Sequence, residues 1–162
     1  MKIKTINRYA ADVDTVFQHL SDPGFLKARA EAIGARNVEV EVMDGGDVVE
    51  IMLKREIPSD APGALKKFIP EWSPSVQTES WKKQAGGPYL GKARVEIKGV
   101  PVSARSRMKL AAGKDGGSVM MIETEFKSSV PVVGGKLAAF AAETAQRALD
   151  AEYEFTRQQL DG

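Results

Sequence analysis

From Lys136 to about Leu160 the chain runs without a glycine or a proline and is rich in Ala, Glu, Gln and Arg. Such a run predicts one helix of about 25 residues, about 37 Å long at the usual rise per residue. Leu137, Phe140, Ala141, Thr144, Ala148 and Phe155 recur at helical spacing and form its expected inner stripe. A helix of that length needs a long apolar surface to lie on, and the preceding sequence supplies one with a different period.

From Asn37 onward the apolar period is two. Val38, Val40 and Val42 alternate with Glu39 and Glu41, Asp44-Gly45-Gly46-Asp47 turns the chain, and Val49, Ile51 and Leu53 answer, with Arg55 next in the same alternation. Four prolines between Pro58 and Pro74 interrupt the pattern, and the stretch reads as a surface excursion with a helical turn or two around Leu65 to Ile69. Beyond it, turn signals at Gly86-Gly87-Pro88, Gly99-Val100-Pro101 and Lys114-Asp115-Gly116-Gly117 separate three further alternating segments. Ala93, Val95 and Ile97 face one way, as do Val102, Ala104, Ser106, Met108 and Leu110, and then Met120, Ile122, Thr124 and Phe126. Arg94, Glu96, Lys98, Arg105, Arg107 and Lys109 face the other.

Ahead of this tract, residues 2 to 9 read as a first strand, and Val13, Val16, Phe17 and Leu20 mark a short amphipathic helix. A second helix is expected from Phe25 to Ile33, capped and opened by Ser21 or Asp22 with Pro23 and stopped by Gly34. The expected fold class is α+β: a curved seven-stranded antiparallel sheet, two short helices after strand 1, and a long C-terminal helix across the concave face. A single domain spanning residues 1–162 is the corresponding size expectation, burying roughly two thirds of the unfolded surface.

Composition narrows the chemistry. A formal net charge of +1, from 23 basic and 22 acidic residues, gives no overall field for a phosphate backbone, so no nucleic-acid partner is expected. The chain has no cysteine, which removes disulfides, thiolate nucleophiles and sulfur-ligated metals. No signal-like apolar run opens the sequence, and no stretch approaches the about eighteen apolar residues that span a bilayer, so no transmembrane segment and a cytoplasmic location are expected. His19 is the sole histidine and lies off the apolar face of its helix, which leaves no usual zinc ligand set. Gly86 to Gly91 and Gly134-Gly135-Lys136 lack phosphate-loop spacing and context. No metal, no cofactor and no catalytic residue are assigned.

The order of elements resembles the START-like helix-grip (SRPBCC) superfamily, which includes pollen-allergen-like, polyketide cyclase-like and lipid-transfer proteins. More narrowly, three tracts are similar to an uncharacterised, mainly actinobacterial family within it. These are Trp81 through Gly91, the Gly99-Val100-Pro101-Val102 corner, and Val130-Pro131-Val132-Val133-Gly134-Gly135-Lys136 leading to Glu152-Tyr153-Glu154-Phe155-Thr156. The resemblance implies a cavity between the concave face and the terminal helix. Small residues on both walls, among them Ala93, Ala104, Ser106, Thr124 and Ser128, either leave such volume unfilled or let the walls approach closely.

Candidate cavity-lining residues are Phe17, Phe25, Leu53, Met108, Met120, Phe126, Phe140 and Thr144, with Trp72, Trp81 and Tyr89 expected at the edge of the opening, where they would stack on a flat ligand. Most of these aromatic and methionine side chains also fit an ordinary core. Arg55 admits three readings: pairing with a carboxylate such as Glu152, meeting an anionic ligand group, or reaching water at the sheet rim. The favoured function is non-catalytic binding or transport of a hydrophobic small molecule, such as a lipid, a fatty acid or a polyketide. It expects an interior cavity of about 300 Å³ or more. The alternative, a polyketide cyclase/aromatase-like enzyme, expects at least two convergent ionisable side chains inside. A third, an interaction protein, expects a filled core and an exposed apolar patch.

Overall fold

A computed structural model of the chain describes residues 1–161. Strand β1 (Lys2–Tyr9) leads into helices α1 (Val13–Leu20) and α2 (Pro23–Ala32). Six strands follow: β2 (Arg36–Asp44), β3 (Val48–Pro58), β4 (Trp72–Lys82), β5 (Tyr89–Ile97), β6 (Ser103–Ala112) and β7 (Ser118–Lys127). Helix α3 (Gly134–Asp161), of 28 residues, is the last described element. All seven strands form one antiparallel sheet in the order β1-β7-β6-β5-β4-β3-β2, so the first strand pairs with the last.

Local chemistry explains the short helices. Asp12 accepts a hydrogen bond from the Thr15 N–H at 2.8 Å, and Asp22 does the same for Phe25, with Pro23 opening α2. Each cap is worth about 1 kcal/mol. Val13, Val16, Phe17 and Leu20 then turn one buried face of α1 onto the sheet.

Helix α3 crosses the inner face, packing against β1 and β7 and touching α2. Its buried positions are Gly134, Leu137, Ala138, Ala142 and Thr156, a stripe rotated from the expected one. Phe155 turns instead towards α2, where its ring lies 5.6 Å from that of Phe25. The proline-rich stretch also departs from expectation. Strand β3 runs on to Pro58, β4 begins at Trp72, and between them a 3-10 turn at Gly63–Leu65 carries Ala61, Leu65 and Ile69 into the interior. There they pack with Val102, Phe126, Leu137 and Ala138. The segment is a plug over one end of the sheet rather than a surface excursion, because its three apolar side chains find a buried partner surface in α3 and β7.

Candidate functional site

The interior is divided into two large apolar cores and a small third one under α2. One gathers Tyr9, Phe17, Leu26, Val49, Trp81, Tyr89, Met108, Leu110 and Met120 beneath α1. The other gathers the plug, Ala104, Phe126 and the first half of α3. Strand register sets Ile51, Glu79, Ala93, Ser106, Thr124 and Ile3 side by side across the inner face between them. A second such row reads Val40, Leu53, Gln77, Val95, Ala104 and Phe126. Several members, including Gln77, Glu79, Ala93, Val95 and Ser106, stay half-buried although α3 spans this face. Ser106 and Thr124 join their hydroxyls at 2.7 Å.

This middle band holds a continuous chain of polar side chains. Glu152 of α3 receives Arg29 of α2 at 3.7 Å and Arg55 of β3 at 3.8 Å. Arg55 reaches Gln77 at 3.5 Å, the Gln77 amide donates to Glu79 at 2.8 Å, and the Trp81 indole N–H donates to the other Glu79 oxygen at 2.9 Å. Arg29 also donates to Thr156 at 3.2 Å. Two guanidiniums and two carboxylates balance, so the chain carries no net formal charge. The Arg and Glu152 contacts are long for ion pairs, so each guanidinium keeps donor capacity. Among the described residues the Arg55 Nε and the Thr144 and Ser75 hydroxyls are buried without a partner, which is uncommon for buried polar atoms.

The structure sorts the expected site residues into three groups. Arg55 and Glu152 lie in the polar band, and the Arg55 side chain is only 11% exposed, so it does not reach water at a rim. Thr144 lies on the half of α3 whose neighbours Phe140, Ala141 and Ala145 pack on the second core. Leu53 sits under α2 with Ala30 and Val38, while Phe126 and Phe140 belong to the core closed by the plug. Met108 and Met120 are buried in the core beneath α1. Phe17, Trp81 and Tyr89 are not at an opening: the Phe17 ring lies 5.4 Å from Trp81 and 4.6 Å from Tyr89, and all three are buried. Helix α1 covers that end of the sheet and consumes their faces. Trp72 is on the opposite face altogether, with the Arg36 guanidinium 3.7 Å above its ring, because alternation from Ser73 and Ser75 turns it outward. Phe25 faces Phe155 and the edge of His19. His19, off the apolar face of α1, is half-buried, its Nδ1 3.0 Å from the Thr15 carbonyl oxygen.

Arg29, Gln77 and Glu79 are not among the site residues expected from the sequence. Strand β4 directs Ser73, Ser75, Gln77 and Glu79 inward, so its polarity pattern is the reverse of its neighbours' and hydrophobic periodicity passes over it. Tyrosines brace the band's margins. Tyr89 donates to Asp14 at 2.6 Å, and burial first, then this hydrogen bond, push its phenol up to about 12. Burial likewise raises Tyr9 to about 12, and Tyr153, edge-on to Tyr9, donates to the Arg8 carbonyl at 2.8 Å.

The sequence matches a family described as "Protein of unknown function (DUF2505)" over residues 5–160. The chain belongs to that family. No curated protein matches it. Among solved structures it is similar to a conserved protein from Geobacillus kaustophilus, at 14% identity and a TM-score of 0.61, with 99% of this chain and 95% of that one covered. A START superfamily protein from Mycobacterium smegmatis aligns at 13% identity, TM-score 0.57 and 98% coverage of both chains. Norcoclaurine synthase from Thalictrum flavum, a point mutant bound to a transition-state analogue, aligns at 16% identity and TM-score 0.54, covering 98% of this chain and 95% of that one. The DUF2505 chain therefore has the START-like helix-grip fold. Among its described residues no helix is long and apolar enough to cross a membrane.

Proposed function

We propose that this DUF2505 protein binds a hydrophobic small molecule between the inner face of the sheet and α3, without chemical change to it. The observation that carries the reading is the polar band: the two larger apolar cores are separated by a half-buried stretch with a buried donor at Arg55 Nε that has no partner among the described residues. A guest with an apolar body and one or two hydrogen-bonding groups matches that surface. The charge balance of Arg29, Arg55, Glu79 and Glu152 favours a neutral group, a hydroxyl or a carbonyl. A fatty-acid carboxylate would add an uncompensated charge beside two existing ones.

Native mass spectrometry of the protein as isolated, followed by titration with a long-chain alcohol and the matching fatty acid, tests this. The alcohol is expected to bind more tightly, and Arg55→Ala to weaken it by about tenfold or more. A protein that retains nothing and shows no saturable binding of either compound rejects the reading.

A second reading, a cyclase-like enzyme, is favoured by the convergence of two carboxylates and two guanidiniums in one band, a pairing suited to proton abstraction and stabilisation of a developing oxyanion. Here Glu79→Gln and Glu152→Gln discriminate. Loss of turnover of a bound polyketide with binding retained supports the enzyme; a ligand recovered unaltered from the wild-type protein supports the carrier.

A further inference from the structure

The outer face of the sheet carries a patch that the interior does not explain. Register places Lys82, Leu90, Lys109, Met121 and Ile6 in one row across five neighbouring strands. The adjoining row reads Ser80, Lys92, Arg107, Glu123 and Lys4. Five strands span about 19 Å at the usual spacing. Three large aliphatic side chains stand in the open there: Ile6 at 59%, Leu90 at 49% and Met121 at 39% exposure. Within these two rows five cations stand against the single carboxylate of Glu123, which Lys4 approaches at 3.5 Å, and Glu50 closes the second row at its β3 end. Since the whole chain sums to +1 and these two rows hold five basic residues and one acidic one across the five strands, the rest of the molecule is net acidic. Lys92 and Arg107 even sit directly opposite one another, a like-charge pairing that costs the sheet stability.

We propose that this face docks on an anionic phospholipid bilayer, with Leu90, Met121 and Ile6 entering the acyl boundary and the lysines reaching the headgroups. Exposed aliphatic side chains ringed by cations match the interfacial layer of such a membrane, where apolar burial and attraction to anionic lipid act together. Duplex nucleic acid would satisfy the cations but leave the three aliphatic side chains against phosphate. A second copy joined about a two-fold axis would press lysine on lysine.

Co-sedimentation of the full chain with vesicles tests the proposal, using phosphatidylcholine alone and an equal mixture of phosphatidylcholine and phosphatidylglycerol. Binding is expected only to the mixed vesicles, falling steeply with added salt. Lys92→Glu with Lys109→Glu is expected to lower the partition coefficient by about tenfold or more, and Leu90→Ser with Met121→Ser by about tenfold. Unchanged circular dichroism and melting temperature show that these variants fold. Lys66→Glu with Lys67→Glu, on the loop between β3 and β4, is expected to bind as the wild type does. Equal binding to neutral vesicles, wild-type binding by the patch variants, or equal loss in the loop variant overturns the proposal. So does a solution dimer, or DNA binding without vesicle binding, that the patch substitutions abolish. The readout is independent of whether the interior holds a ligand.

Discussion

Trp81 and Arg55 point inward from neighbouring strands of the same sheet, yet their surroundings differ in kind. Trp81 is 1% exposed, packed edge-on against Phe17, and a Cβ placed on Gly91 opposite it would lie 2.7 Å from its ring. Arg55 is linked to Glu152 and Gln77 at 3.8 and 3.5 Å and keeps one donor unpartnered. The first region has no room for another atom; the second has hydrogen-bonding capacity that the chain does not use. Close packing at the ends holds the fold, and this lets the middle band depart from the all-apolar interior that would otherwise be most stable.

The largest expected effect breaks the packed end. Trp81→Ala should cost about 3–5 kcal/mol in denaturant unfolding, and a loss comparable to that of a surface substitution would show that the region beneath α1 is not close-packed. Gly91→Ala should cost about 1–3 kcal/mol by overpacking the same ring, read from the shift of the unfolding midpoint at constant slope. Alkali probes two tyrosines of the packed core. Tyr9 and Tyr89 are raised from 10.0 to about 12, so the folded state holds their protons more tightly than the unfolded one. Their contribution to stability is full below pH 10 and drains as pH rises through about 12. Melting temperatures of the wild type should therefore fall across that window, and Tyr89→Phe should flatten the slope. The smallest effect is expected on α3. Thr144→Val should leave stability within about 1 kcal/mol of the wild type, or raise it, since a partnerless buried hydroxyl is replaced by a methyl of similar shape. A clear loss would mean that the hydroxyl is held by the protein after all.

The elements of this fold were legible because their signals are local. Period two in Val38 to Leu53 and in Ala93 to Phe126, the Asp22-Pro23 start of α2 and the unbroken run into α3 all appear within a few residues of one another. The site was legible only where it borrowed such a signal: Arg55 was placed inward by continuing Val49, Ile51 and Leu53. Gln77 and Glu79 gave none, because a strand with a polar inner face and Pro74 within it imitates a loop. Trp72 misled for a related reason, since its side depends on where alternation restarts after the prolines. Arg29 lies on α2, whose buried face is only Leu26 and Ala30, too little to show which way its polar residues turn.

The sequence by itself determined the strands, the helices and the need for α3 to lie on the sheet, since periodicity and capping act over one or two turns of chain. Only the tertiary structure decided that β1 closes against β7, that Ala61, Leu65 and Ile69 plug one end, and that Arg29, Arg55 and Glu152 meet. Those three residues stand on separate elements far apart in the chain, and what joins them is the burial of charges that the fold must pair. Such a requirement has no spacing in the sequence from which to read it.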